Sequence, residues 1–374
     1  MLEIIEVKTK KDRKRFVEYP LKLYKGNPYF VPPLYGDEMA MFTKKNVYYN
    51  TCESVFYLAV RDGVVVGRIQ GIIQKQYNEI HNVKQVRFTR FDCENNTETA
   101  KKLFETVENW AKEKGMDTVV GPLGYSDLER EGLLIEGFDQ IATFEEWYNY
   151  DYYPKLVEDN GFVKDVDWVE SKLYMPEERN EKVKAITEHA LKKYNLHVAG
   201  EGLSKREYIK RYKDGIFKCI DECYKDLYGT VPFTKEMINQ MVTQFMLILN
   251  LKYIKTVCDE NENVVACGFC LPSIGEAVQK SGGRLTPCTI VKLLRAINKP
   301  KVIDLGIIGI LPSYRKSGLN AIAIDMLQTM LEEDGVEYCE TNLNLETNAN
   351  IQAQWKYFKR VIHKRRRSYI KRLS

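Results

Sequence analysis

Two spacings of apolar residues alternate along the chain and divide it into strands and helices. Residues 3–7 read as a first strand, and 10–19 follow as a helix that Pro20 ends. Residues 54–60 and 64–69 flank the turn Arg61-Asp62-Gly63 and predict a β-hairpin, with a further strand at 87–91. From 97 to 114, Ala100, Leu103, Phe104, Val107 and Ala111 recur at helical spacing; the helix closes at Gly115, and a strand over 117–122 follows. A charged, proline-bearing linker at Met175-Pro176-Glu177-Glu178-Arg179-Asn180 separates this series from a second one. That series runs through a helix at 180–194, a strand at 196–199, helices at 205–228 and 234–249, and a hairpin of 252–258 and 264–271. The two hairpins share a layout, which predicts an internal duplication.

An insertion over 273–299 carries a helix with Ile290, Val291, Leu293, Leu294 and Ile297. Then Ile303, Leu305, Ile307, Ile308, Ile310 and Leu311 form an apolar run that reads as an interior strand, and Pro312, lacking an N–H, stops it. The turn Pro312-Ser313-Tyr314-Arg315-Lys316-Ser317-Gly318-Leu319-Asn320 leads into Ala321, Ile322, Ile324, Met326, Leu327 and Met330 at helical spacing. The first turn of a helix has N–H groups without partners and a partial positive charge, so a phosphate there is both hydrogen-bonded and electrostatically favoured. Gly318 lets the backbone come close, and Arg315 and Lys316 add charge. The alternative is a surface turn whose two cations are only solvated. Residues 338–345 alternate as a last interior strand, and 346–350 open another helix.

Arg315-x-x-Gly318-x-Asn320, between a strand and a helix, resembles the acetyl-CoA pyrophosphate loop of the GNAT superfamily of N-acyltransferases, with Asn320 in place of the last small residue. Asn tolerates a left-handed backbone, so the turn can survive the change. The order of elements resembles that family over nearly the whole chain. The fold class implied is α/β, with two tandem GNAT-like domains, each a mixed, mainly antiparallel central sheet flanked by helices. Residues 1–175 form a degenerate first domain, because 93–100 lacks the glycine and arginine and carries two glutamates that repel a pyrophosphate. Residues 180–374 form the acyl-CoA-binding domain, and the helix of the 273–299 insertion would cover its cleft.

By the same resemblance, the backbone of Ile308, Gly309, Ile310 and Leu311 pairs with the pantetheine arm, and Arg315, Lys316, Ser317, Gly318, Leu319 and Asn320 hold the pyrophosphate. Asn348 matches an Asn that approaches the cofactor, or else it caps its helix. The family's acid is a Tyr seven residues after that Asn; here it is Trp355, which has no acidic proton to give. Tyr357 lies two residues on, about 200° around the helix. Glu346 or another carboxylate supplies the base that removes a proton from the attacking amine. Residues 121–139 also resemble a segment of little-characterised bacterial GNAT-like proteins, with a Gly-Pro-x-x-x-Ser start and a Glu-Gly-Phe end. Its Glu129, Glu131 and Glu136 either bind an amine, act as a base, or cap and solvate the loop. The implied reaction is transfer of an acetyl or other acyl group from acyl-CoA to an amine of a small molecule or protein. Fem-like aminoacyl transfer from aminoacyl-tRNA and non-catalytic CoA binding are the alternatives.

Composition narrows this further. With 374 residues, 44% of them hydrophobic, the chain is long enough for two domains with real cores. No apolar run approaches the roughly 20 residues of a membrane span, and the N-terminus has no signal core, which predicts a cytoplasmic protein without a membrane partner. Nine cysteines are then reduced and structural. Cys267 and Cys270 face opposite sides of a strand, Cys219 and Cys223 lie one helical turn apart with no nearby His, and His81, His189, His197 and His363 are scattered. Neither a metal site nor a hydrolytic triad is expected. Residues 356–374 carry nine Lys/Arg and no acid, interleaved with Val361, Ile362, Tyr369, Ile370 and Leu373. They read as a terminal strand with a solvated basic face, with the CoA 3′-phosphate or a tRNA as alternative ligands.

Overall fold

The computed structural model describes residues 1–43, 46–177, 182–246 and 248–374. Glu178, Arg179 and Asn180 of the predicted linker lie outside the described residues, as does Leu247 of the predicted helix at 234–249. The first half of the chain forms β1 (Leu2–Glu6), α1 (Lys10–Leu23), α2 (Tyr35–Ala40), β2 (Cys52–Arg61), β3 (Val64–Gln74), α3 (Lys75–His81), β4 (Gln85–Cys93), α4 (Thr97–Glu113), β5 (Thr118–Gly121), β6 (Leu133–Glu136), α5 (Tyr153–Glu158) and β7 (Val163–Tyr174). The second half forms α6 (Lys182–Lys193), β8 (His197–Val198), α7 (Lys205–Tyr224), α8 (Lys235–Phe245), β9 (Ile254–Cys258), β10 (Val264–Pro272), α9 (Gly275–Gln279), α10 (Pro287–Asn298), β11 (Val302–Ile310), α11 (Asn320–Glu333), β12 (Tyr338–Glu340), β13 (Asn344–Leu345), α12 (Ala349–Gln354) and β14 (Lys359–Arg372).

The chain divides into two compact units. One is Met1–Val169 with Ile274–Leu293 and His363–Ser374; the other is Glu170–Ser273 with Leu294–Ile362. This differs from a division at the 175–180 linker, because the chain passes between units inside β7, α10 and β14. Residues 369–372 of β14 pair with β5 of the first unit, and Lys172 and Leu173 of β7 pair with β12 of the second. Each unit's set of strands is therefore completed by a strand from the other half of the sequence.

In the first unit β1 to β4 are successive antiparallel neighbours and β4 pairs with β5 in parallel. The connecting helix α4 buries Ala100, Leu103, Phe104, Val107 and Ala111, the stripe its spacing predicts. Pro20 does not end α1, which runs on to Leu23. A proline inside a helix leaves the carbonyl four residues earlier without its donor; here that is Phe16, and its carbonyl oxygen accepts instead from Arg68 Nη1 at 3.0 Å. Arg68 also donates from Nε to Asp92 at 2.7 Å, and Arg90 pairs with Glu38 at 2.8 Å, so two buried cations meet two buried carboxylates.

β14 corrects the expected solvated basic face. Lys364 and Arg366 are buried while Val361 and Ile362 are exposed. Lys364 donates to the Ile141 carbonyl, Arg366 to the Trp147 carbonyl, and Arg367 forms a two-point ion pair with Asp167. These three cations are held by interior acceptors, while Lys359 and Arg372 at the strand ends stay exposed.

The second unit repeats the succession. β8, β9, β10 and β11 are antiparallel neighbours, and β11 pairs with β12 in parallel across α11. Leu305, Ile303, Ile324, Leu327, Met330 and Trp355 share its main core, and Val257, Val265, Leu319 and Ile322 a second one.

Candidate functional site

The turn from β11 to α11 is held at its start by Leu311, whose N–H donates to the Val265 carbonyl at 3.0 Å, and by a single 3₁₀ turn, Pro312–Tyr314. Two residues then take left-handed backbone, Lys316 at φ 68° and Gly318 at φ 91°. Asn320, to which the sequence assigns that role, is instead the first residue of α11. Gly318 is required for a second reason: a Cβ there would lie 2.9 Å from Ile186 Cγ2 of α6, which packs beside the turn. Leu319 N–H donates to Ser317 Oγ, Ser317 N–H to Tyr314, and Ala321 N–H to Gly318. The N–H groups of Lys316, Gly318 and Asn320 have no acceptor among the described residues. α11 has no side-chain cap. Arg315 and Lys316 are exposed, with no carboxylate within 4.0 Å among the described residues. A fourteen-residue helix thus presents an uncapped N-terminus beside two cations that no anion among the described residues neutralises.

β12 pairs with β11 only at Val302, Ile303 and Asp304. β11 carries an extra residue relative to β10 between Leu305 and Ile308, so it bends where it leaves β12. Beyond the bend its outer edge meets α7. The Ile308 N–H donates to the Tyr224 hydroxyl at 3.4 Å, that hydroxyl donates to the Ile308 carbonyl at 3.2 Å, and the Ile310 backbone bonds to Cys223. Its hydrogen bond with Cys219, followed by burial, pushes the Cys223 thiol up, so it packs as a neutral thiol and is no nucleophile. No sequence pattern flags Tyr224 and Cys223, because their role depends on where α7 docks.

Of the other candidates in this unit, Asn348 caps α12, accepting from the Ile351 N–H at 3.2 Å. Trp355 is buried and donates from Nε1 to Asn344 Oδ1 at 2.7 Å. Tyr357 is half-buried against the same apolar cluster as Ile308, and Glu346 is exposed.

The matching turn of the first unit is built the opposite way. Asn96 caps α4 by accepting from the Thr99 N–H at 2.9 Å, and Glu94 pairs with Arg61 and accepts from Thr99 Oγ1. An acid and a capped helix leave nothing for an anion. The carboxylates of residues 121–139 also belong to this unit. Glu129 Oε2 holds its own loop, accepting from the Tyr125 N–H at 2.8 Å, and burial raises its pKa against the pull of Arg90. Glu136 is exposed at the end of β6, beside Arg365. Glu131 is buried; burial, then Asp127 and Glu146, push it well above the usual carboxylate range, opposed by Arg87.

Solved structures share this fold. A tandem GNAT protein from the clavulanic acid biosynthesis pathway, 11% identical, superposes over 100% of this chain and 98% of its own with a TM-score of 0.56. A GCN5-related glucosamine N-acetyltransferase region of a fungal multi-domain β-N-acetylglucosaminidase, 10% identical, covers 99% of this chain and 38% of that one at 0.55. The chain has a tandem GNAT-like fold. No family model matches it. Protein YghO of Escherichia coli K12 is 23% identical over 97% of this chain and 94% of its own, and a bacterial ceramide synthase of Caulobacter vibrioides is 26% identical over 78% and 76%. Within the GNAT-like fold, the first unit has a self-capped turn and the second an open, basic one. Among the described residues no helix is long and apolar enough to cross a membrane.

Proposed function

We propose that the chain is an N-acyltransferase that takes its acyl group from acyl-CoA in the second unit and joins it to the amine of a long-chain amino alcohol. The uncapped, basic N-terminus of α11 carries this reading, since it offers three N–H donors and two cations without a carboxylate partner among the described residues, where a GNAT-like fold would hold a pyrophosphate. Arg315, Lys316, Gly318 and Asn320 would hold it, and the backbone of Ile308 and Ile310 would pair with the acyl arm where that arm displaces Tyr224 and Cys223. The thioester, when bound, supplies an activated acyl carbon. The ammonium first gives one proton to a base; the neutral amine then attacks the thioester carbon, the C–N bond forms and the C–S bond breaks. The second nitrogen proton restores the one that the acid gives to the departing thiolate. Glu346 is the base put forward, being exposed and near the α12 N-terminus in sequence. Tyr357 is the acid put forward, because its ring shares the apolar cluster of Ile308. The acceptor class is suggested by the likeness to the bacterial ceramide synthase, an enzyme named for an N-acylated lipid.

Trp355 favours one other reading. A buried indole tied to Asn344 stands where the family's acid would be, as in a protein that binds acyl-CoA without turning it over. Incubation with acetyl- or long-chain acyl-CoA and a panel of short and long-chain amines separates the two. Amide product found by mass spectrometry, with matching thiol release, supports the transferase. Acyl-CoA binding with no product from any amine supports the other.

A further inference from the structure

α10 has an apolar surface that nothing among the described residues covers. Leu293 and Ile297 are 2% and 7% exposed, whereas Ile290, Val291 and Leu294 are 39%, 49% and 44% exposed, as is Leu285 just before the helix at 50%. At about 100° per residue, Ile290, Leu294 and Val291 lie side by side in one sector, and Arg295, Lys299 and Lys292 fill the next. The buried residues occupy the remaining face. Thr286 fixes the helix start, accepting from the Thr289 N–H at 3.2 Å, and Arg284 pins the approach by pairing with Glu18 and lying over the Tyr35 ring.

The charge is one-sided. Residues 277–303 contain six Lys/Arg and no Asp or Glu. Lys292, Arg295 and Lys299 are exposed and have no carboxylate within 4.0 Å among the described residues. An exposed apolar stripe bordered by unneutralised cations, on a helix too short to cross a bilayer, is the pattern of a helix that lies in a membrane interface. We propose that α10 docks the protein on an anionic lipid surface, with Leu285, Ile290, Val291 and Leu294 entering the headgroup boundary and Lys292, Arg295 and Lys299 facing lipid phosphates. A second copy of the chain is a poorer occupant, because a two-fold pairing would bring these cations together with no acid on the helix to offset them. The absence of a membrane span does not bear on such a contact. The proposal also stands apart from acyl transfer, since α10 holds none of the groups assigned to the acyl-CoA site.

The test is cosedimentation of the full chain with vesicles of phosphatidylcholine alone or with phosphatidylglycerol added. The parent should bind only the anionic vesicles, and less as salt rises. Ile290→Ser with Leu294→Ser should weaken binding tenfold or more, and Lys292→Gln or Arg295→Gln by about fivefold each. A Val291→Trp variant should show a blue-shifted emission when vesicles are added. Failure of the parent to bind anionic vesicles, or variants that bind as the parent does, overturns the proposal. So does a parent dimer that the double serine variant dissociates, which would assign the face to self-association. Titration of the same proteins with acyl-CoA without vesicles reports on the second unit separately, so either reading can fail alone.

Discussion

Gly318→Ala and Arg315→Ala should break the same loop in different ways. Gly318 sits at φ 91° with space for a hydrogen only, and an added Cβ lies 2.9 Å from Ile186 Cγ2. Left-handed backbone costs an Ala about 1–2 kcal/mol and overpacking against α6 about 1–3 more, so roughly 2–5 kcal/mol is lost. For a unit of this size that lowers the melting temperature by roughly 5–15 °C. Arg315 is exposed without an ion partner among the described residues, so its removal should change stability by no more than about 0.5 kcal/mol. It would, however, remove a charge-assisted hydrogen bond to a phosphate, about 1.5–3 kcal/mol, or roughly ten- to a hundredfold in Kd. Thermal melting and calorimetric titration with acetyl-CoA give both quantities. A Gly318→Ala protein that melts with the parent refutes the packing argument. An Arg315→Ala protein that binds acetyl-CoA with parental affinity refutes the assignment of the anion site.

Glu131→Gln should stabilise the protein at neutral pH and flatten its pH dependence. The carboxyl has a raised pKa in the folded state, so above the ordinary carboxylate value the unfolded chain binds fewer protons than the folded one, and stability falls as pH rises, by up to about 1.4 kcal/mol per pH unit. Urea unfolding of both proteins at a series of pH values checks this, and an unchanged slope counts against a protonated Glu131. Tyr224→Phe should free the Ile308 backbone at a cost of about 1 kcal/mol in stability and tighten acyl-CoA binding. Weaker binding would mean that the hydroxyl serves the ligand and does not compete with it.

The local elements of the fold were legible. The strand–turn–helix at 302–331, both hairpins and the apolar stripe of α4 follow from residue spacing, because their partners are near in sequence. What escaped the sequence depends on partners that are far away. Phe16 tolerates the loss of its helical donor to Pro20 because Arg68 replaces it. The cations of β14 read as a solvated face because their acceptors, Ile141, Trp147 and Asp167, belong to loops and strands about two hundred residues earlier. The exchange of β7 and β14 residues between the two units has no local signal either, since a strand's own residues do not name its neighbour. At the site, the glycine and the basic pair were readable, whereas the left-handed Lys316 and the cover of Tyr224 and Cys223 over β11 were set by how α6 and α7 pack.

The central claim is that one unit of the two binds acyl-CoA. Calorimetric titration of the full chain with acetyl-CoA and with a long-chain acyl-CoA tests it directly. One molecule should bind per chain, lost in Arg315→Ala and kept when Arg61, which pairs with Glu94 of the self-capped turn of the first unit, is changed to Ala. Two molecules per chain, or none, would contradict it.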